Sequence, residues 1–235
     1  MFEREHHVRI SAILHALDAD VLTTCNCLFG GGTAIVLSHA EYRESADIDF
    51  LVSDPAGYRT LRASITDKRG MKAITRGGSD LGVAREIRAD QYGIRTMLRV
   101  SGVEFKFEIV FEHRISLEAP GRKDRICGVR TLTPLDMAAS KLLANSDRWM
   151  DDAVFSRDLI DLGMLDPSPS LLARAIEKAA MAYGKSIERD LGRAIRRLKE
   201  RTGRLDECME SLKVDRVPKA LLWSRIRRLM PASAS

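Results

Sequence analysis

The chain has 235 residues, 45% apolar and 30% charged, with a net charge of +5; this suits a soluble globular protein of one large or two small domains and excludes a membrane span, since no run nears the roughly 18 apolar residues one needs. Four cysteines (Cys25, Cys27, Cys127, Cys208) without framework spacing, and a charged start from Met1 to His7 without the apolar stretch of a signal peptide, point to a reducing cytoplasm. The charge is uneven: from Arg189 onward 13 Lys and Arg meet 6 Asp and Glu, leaving 25 against 27 before it, so an acidic front half fits carboxylates gathered at a site and a basic tail fits a partner that carries phosphates.

Val8, Ile10, Ile13, Leu14 and Leu17 recur at helical spacing and predict a helix over Phe2 to Asp18. Val21 to Phe29 reads as a strand feeding the turn Gly30-Gly31-Gly32, and Thr33 to His39 as a short helix. After a polar loop, Asp47 to Ser53 reads as a strand. Asp54-Pro55 then caps and opens a helix to about Lys68. Between Gly70 and Arg114, glycines punctuate three runs, Val83 to Ala89, Ile94 to Val100 and Val103 to Glu112, which read as antiparallel strands. The last alternates most clearly: Phe105, Phe107, Ile109 and Phe111 share one face, and Glu104, Lys106, Glu108, Val110 and Glu112 the other. Ile126 to Leu132 reads as a short strand.

Thr133-Pro134 starts a helix through Asn145, and a polar stretch from Asp147 continues as a helix to Leu162. Asp166-Pro167-Ser168-Pro169-Ser170 is the clearest break. Helices are expected beyond it at Ser170 to Tyr183, Ser186 to Arg201, Leu205 to Leu212 and Pro218 to Leu229. The pattern is α+β over the first ~130 residues and all-α afterwards.

Chemistry concentrates around the glycine turn. Glycines let backbone approach a ligand closely, and a helix starting after them offers N–H groups to an anion. Asp47 and Asp49, at i and i+2 of a strand, project from one face with Cα atoms roughly 6.6 Å apart. A phosphate cradle beside two carboxylates is what a magnesium–nucleotide site requires. Glu108, on the polar face of a later strand, can supply a third carboxylate or simply solvate that face. Cys25-Asn26-Cys27 has no second Cys/His pair and reads as buried small hydrophobes. Arg76, Arg85, Arg88, Arg95 and Arg99 can bind an RNA backbone or solvate a sheet face, and His39 reads as a loop residue. The glycine turn lacks a Gly-Lys-Ser/Thr ending, which counts against a P-loop.

Gly31-Gly32-Thr33-Ala34, Arg43-Glu44-Ser45-Ala46-Asp47-Ile48-Asp49-Phe50, Lys141-Leu142-Leu143-Ala144 and Arg157-Asp158-Leu159-Ile160-Asp161-Leu162 stand in the order of four motifs. This set resembles the AbiEii/AbiGii-type nucleotidyltransferases of the DNA polymerase β-like superfamily, over about Gly30 to Leu162. The resemblance implies a polymerase β-like α+β core with a mixed or antiparallel sheet over residues 1–132. A helical region, 133–235, would carry the Lys141 and Asp158 motifs and the basic tail.

It also implies the activity: transfer of an NMP from an NTP with release of pyrophosphate, aided by two Mg²⁺ ions ~3.5–4 Å apart. Asp47, Asp49 and Glu108 would hold metal, with Glu108 helping to activate the acceptor hydroxyl. Gly31, Gly32 and Thr33 would hold the triphosphate. Lys141 would contact it as a point charge, and Asp158 would orient Lys141 or the nucleotide, with Asp161 the alternative last-motif carboxylate. Arg43 and Ser45 match the pattern too, Ser45 as a structural residue. Thr33 stands where the family often has Ser, and Glu108 where it usually has Asp. Such proteins are toxins paired with an antitoxin, and some add nucleotides to tRNA ends, so the expected acceptor is RNA, with tRNA first. A protein hydroxyl or a small molecule such as an aminoglycoside is the alternative acceptor. A non-catalytic nucleotide-binding module is the other class.

Overall fold

The computed structural model describes residues 2–77, 79 and 81–231. The fold is α+β and divides into two compact units. The first comprises Met1–Ser38 and Ser45–Thr133; the second comprises His39–Glu44 and Pro134–Ser235.

The first unit opens with helix α1 (Glu5–Ala16) and a second short helix, α2 (Ala19–Thr24). The strand expected over Val21 to Phe29 is therefore corrected. Only Leu28–Gly30 forms strand β1; helix α2 runs to Thr24, and a turn at Cys25 and Asn26 leads into the strand. The reason is local: Asp18 accepts hydrogen bonds from the amides of Asp20 and Val21, and this cap outweighs the β-propensity of an apolar run. Helix α3 (Gly31–Ser38) follows β1 directly, and β2 is Ile48–Val52. Asp54 caps helix α4 (Pro55–Thr66) through the amides of Ala56 and Gly57.

The stretch expected as one strand over Val83 to Ala89 is two short ones, β3 (Gly82–Val83) and β4 (Arg88–Ala89). Strands β5 (Gly93–Val100) and β6 (Val103–Phe111) form an antiparallel hairpin, with Ser101 and Gly102 both at positive φ in the turn. A second hairpin, β7 (Arg125–Ile126) with β8 (Val129–Arg130), replaces the single strand expected over Ile126 to Leu132, because Cys127 and Gly128 both turn at positive φ.

Among the described residues the main sheet has six strands in the order β1-β2-β6-β5-β3, with β4 also on β5. Among the strand pairs of the described residues, only β2–β6 is parallel. One sheet face is apolar. Phe29, Phe50 and Phe107 pack in tilted ring contacts across β1, β2 and β6 with centroids 5.4 and 5.6 Å apart, all fully buried. Ile94, Leu98, Phe105 and Ile109 extend this core. The alternation of β6 leaves the opposite face to its polar side chains.

The second unit is helical: α5 (Pro134–Arg148), α6 (Arg157–Leu165), α7 (Pro169–Tyr183), α8 (Ser186–Glu200), α9 (Arg204–Ser211) and α10 (Lys219–Arg228). The continuous helix expected from Asp147 to Leu162 is broken. A 3₁₀ turn at Asp152–Val154 is followed by Phe155 and Ser156, both left-handed, before α6 begins. Ser168 caps α7 with Pro169 in its first turn, at the break marked by the two prolines. Among the described residues no helix is long and apolar enough to cross a membrane, and the four cysteines are free.

Candidate active site

In the sheet unit, Gly30 ends β1 opposite Asp49 of β2, and Gly31, at φ +66°, starts α3. A Cβ at Gly31 would overlap the Asp49 carboxylate, so this turn admits only glycine while Asp49 keeps its place. Asp47, one residue before β2, and Asp49 within it are both half-buried. The parallel register sets Asp49 beside Glu108 of β6, and Arg95 of β5 lies opposite Glu108 on the next strand. Two acids, on β2 and β6, thus stand side by side with a base next to them on β5.

Glu108 accepts from Arg95 Nε at 2.5 Å and pairs with Lys106 Nζ at 2.6 Å. Burial works against its charge, but these two cations outweigh burial and hold its carboxyl below the ordinary glutamate range. Burial likewise disfavours the Lys106 cation, and Glu108 reverses this, helped by the fields of Asp49 and Asp47. Lys106 is therefore within electrostatic reach of all three carboxylates. Among the described residues no three His, Cys, Asp or Glu side chains are gathered as a ready metal cluster. The donor set itself, carboxylates on neighbouring strands, has the hardness that magnesium prefers.

The loop entering β2 is fastened by a polar chain. The buried Thr33 hydroxyl donates to the Asp47 carbonyl, and its oxygen lies 2.7 Å from Ser45 Oγ. The Ser45 amide donates to Nε2 of the fully buried His7 at 3.2 Å. The Thr33 side chain thus turns toward the Asp47 loop, and the first turn of α3 is left to offer backbone N–H groups. His7 carried no sequence signal: a histidine near the start of a helix shows its partner only once the chain has folded.

In the helical unit, Lys141 of α5 is buried between two carboxylates of α6, at 3.0 Å from Asp158 and 2.6 Å from Asp161. Arg43, fully buried, forks onto Asp161 at 2.7 and 2.9 Å, and Tyr42 donates its hydroxyl to the same carboxylate at 2.6 Å. Arg148, two helical turns on from Lys141, forks onto Asp158 at 2.7 and 3.0 Å. Both acids at i and i+3 of α6 therefore engage Lys141, and the choice between them becomes a division: Asp158 links Lys141 to Arg148, and Asp161 links it to Arg43 and Tyr42. Three cations meet two anions. Tyr42 and Arg148 were not legible as members, lying outside the repeated motif residues.

Burial pushes both carboxyls up, but Lys141 with Arg148 at Asp158, and Arg43 with Lys141 at Asp161, outweigh it and hold both below the ordinary aspartate range. A depressed carboxyl contributes stability that is complete above the unfolded pKa of about 3.9 and is lost as pH falls through the folded value. The melting-temperature gap between the parent and an Asp161→Asn variant should therefore stay constant from neutral pH to about 5 and close only below about 4. Circular-dichroism melts across that range check this. A gap closing between pH 6 and 7 would instead point to a histidine.

Two clefts lie away from the carboxylates. One of about 550 Å³ is lined from Ile65 to Lys72 and by Leu81 to Val83, and one of about 640 Å³ lies along α7 and α8. Neither is lined by Asp47, Asp49 or Glu108.

A family model described as "AbiEii: Nucleotidyl transferase AbiEii toxin, Type IV TA system" matches residues 13–231. No curated protein matches the chain. The crystal structure of JHP933 from Helicobacter pylori is similar at 16% identity and a TM-score of 0.48, covering 98% of this chain and 94% of that one. A candidate nucleotidyltransferase from H. pylori is similar at 16% identity and a TM-score of 0.47, covering 96% and 93%. At such scores neither likeness bears on fold or function.

Proposed function

Because this chain belongs to the AbiEii family of nucleotidyl transferase toxins of type IV toxin–antitoxin systems, we propose that it moves an NMP from an NTP to an RNA acceptor, tRNA first, with magnesium held by Asp47, Asp49 and Glu108. The observation that carries this reading is the parallel register of Asp49 with Glu108, beside a glycine turn packed on the Asp49 carboxylate. Magnesium held by these carboxylates would supply positive charge to the reacting phosphate. Gly31 and Gly32 present backbone N–H groups to the triphosphate. On the motif match, Lys141 is assigned to the triphosphate and Asp158 to orienting Lys141. Thr33 acts by fixing the Asp47 loop.

Glu108, kept ionised by Arg95 and Lys106, accepts a hydrogen bond from the acceptor hydroxyl and orients it. The hydroxyl oxygen bonds to the α-phosphorus, pyrophosphate leaves with the electrons of its bond, and the hydroxyl proton passes to solvent. Family membership also brings a cognate antitoxin as partner.

The test is incubation with each labelled NTP, Mg²⁺ and total RNA, beside Asp49→Ala. Label should enter tRNA only with the parent. Label in protein, in a small molecule or in nothing sinks the RNA reading, and equal labelling by Asp49→Ala sinks the carboxylate assignment.

A further inference from the structure

Helix α8 buries Ile187, Leu191, Ile195 and Leu198. Its other side carries Arg189, Arg193 and Arg197 at intervals of four, continued by Arg201 at the C-cap. Residues four apart on a helix are neighbours, and like charges there destabilise it. Such a row therefore needs a compensating reason. Part of the compensation is internal. Asp190 takes Arg189 at 2.9 Å. Asp152 takes three guanidinium groups on one oxygen: Arg197 at 3.0 Å, Arg201 at 2.6 Å and Arg204 of α9 at 3.3 Å. Arg204 is buried and also pairs with Glu207 at 2.8 Å, so the two exposed cations, Arg197 and Arg201, share one half-exposed carboxylate and leave an excess of positive charge open to solvent. Arg193 is exposed between the two ends of the row. The arginines hold the Asp152 carboxyl down to about 2.

We propose that the row Arg189, Arg193, Arg197 and Arg201 is a docking track for the phosphate backbone of RNA, and that Asp152 holds the place of one phosphate until RNA arrives. The proposal rests on the RNA-acceptor reading and says where that acceptor is held. The rise of 1.5 Å per residue sets successive arginines about 6 Å apart along the axis. Equal spacing suits a polymer with one negative charge per repeat, and the guanidinium fork matches phosphate geometry.

The experiment measures binding of a fluorescein-labelled oligouridylate by anisotropy over a range of NaCl concentrations, in an Asp49→Ala background without NTP, so that transfer plays no part. Arg189→Ala/Arg193→Ala should weaken binding and reduce the slope of log K against log salt by about 1.4, at about 0.7 per phosphate contact. Arg193→Ala alone, at an exposed helix position, should reduce it by about 0.7 with the fold unchanged. Asp152→Asn should bind more tightly, because it frees Arg197 and Arg201; a clamp with a purely structural role gives no gain.

Unchanged affinity and slope in both arginine variants overturns the track. Weaker binding by Asp152→Asn overturns its place-holding role. Poly-glutamate bound as tightly as oligouridylate overturns the phosphate assignment. If the slope falls as expected but RNA is never labelled by the active protein, the function reading fails and the track stands. If RNA is labelled and the arginine variants bind it as the parent does, the reverse holds.

Discussion

Gly31→Ala should cut nucleotidyl transfer by about 100-fold or more while leaving the fold in place. Two penalties meet at this position. The backbone is left-handed at φ +66°, which costs an L-residue about 1–2 kcal/mol. The new methyl group would also overlap the Asp49 carboxylate, and a reacting group displaced by about 1 Å loses about two orders of magnitude in rate. Gly102→Ala separates the two effects. Gly102 is also left-handed, at φ +79°, but nothing lies within 4 Å of its added Cβ. It should lose similar stability and keep its activity. Initial transfer rates and thermal melts on both variants decide the matter, and equal rates would remove the Gly31–Asp49 contact from the mechanism.

Asp161→Ala should destabilise the protein by about 3–5 kcal/mol, the scale for breaking a buried ion pair from one side. For a chain of this length that lowers the melting temperature by roughly 6–20 °C. The physical cause is what remains: Arg43 and Lys141 stay buried with one carboxylate fewer between them, and Tyr42 loses its acceptor. Asp158→Ala should cost less, because Arg148, at 37% exposure, can turn to water. Urea unfolding of the two variants gives the ranking directly. A loss under about 1 kcal/mol for Asp161→Ala would mean that water reaches the cluster.

Features that the sequence made legible are those with a local cause. The alternation of β6 separates Phe105, Phe107 and Ile109 from Glu108 by parity alone. Asp54-Pro55 and Thr133-Pro134 signal helix starts because cap and first turn are adjacent in sequence. The misreading at Val21 to Phe29 shows a cap outweighing propensity. The left-handed pair Phe155 and Ser156 was not legible, since neither residue is glycine and nothing in the sequence marks such a turn. In the candidate site, the parity of Glu108 was readable, but not its pairing with Arg95 and Lys106, which depends on strand register. The Arg43–Asp161 pair joins residues 118 positions apart, beyond any periodic pattern.

That separation has a consequence for how the protein is made. The ribosome releases Arg43 long before Asp161, and at about 5–20 residues per second the wait is roughly 6–24 s. During it a nascent chain already holds Asp47, Asp49 and Glu108, yet the segment His39–Glu44 still lacks the α6 carboxylate that it closes on. Premature termination before α6 therefore yields polypeptides with all three acids and a guanidinium that has not met its buried partner. For a toxin, maturation is tied to translation of α6: the message must be read through the codons for Asp161 before this part of the molecule can take its final form.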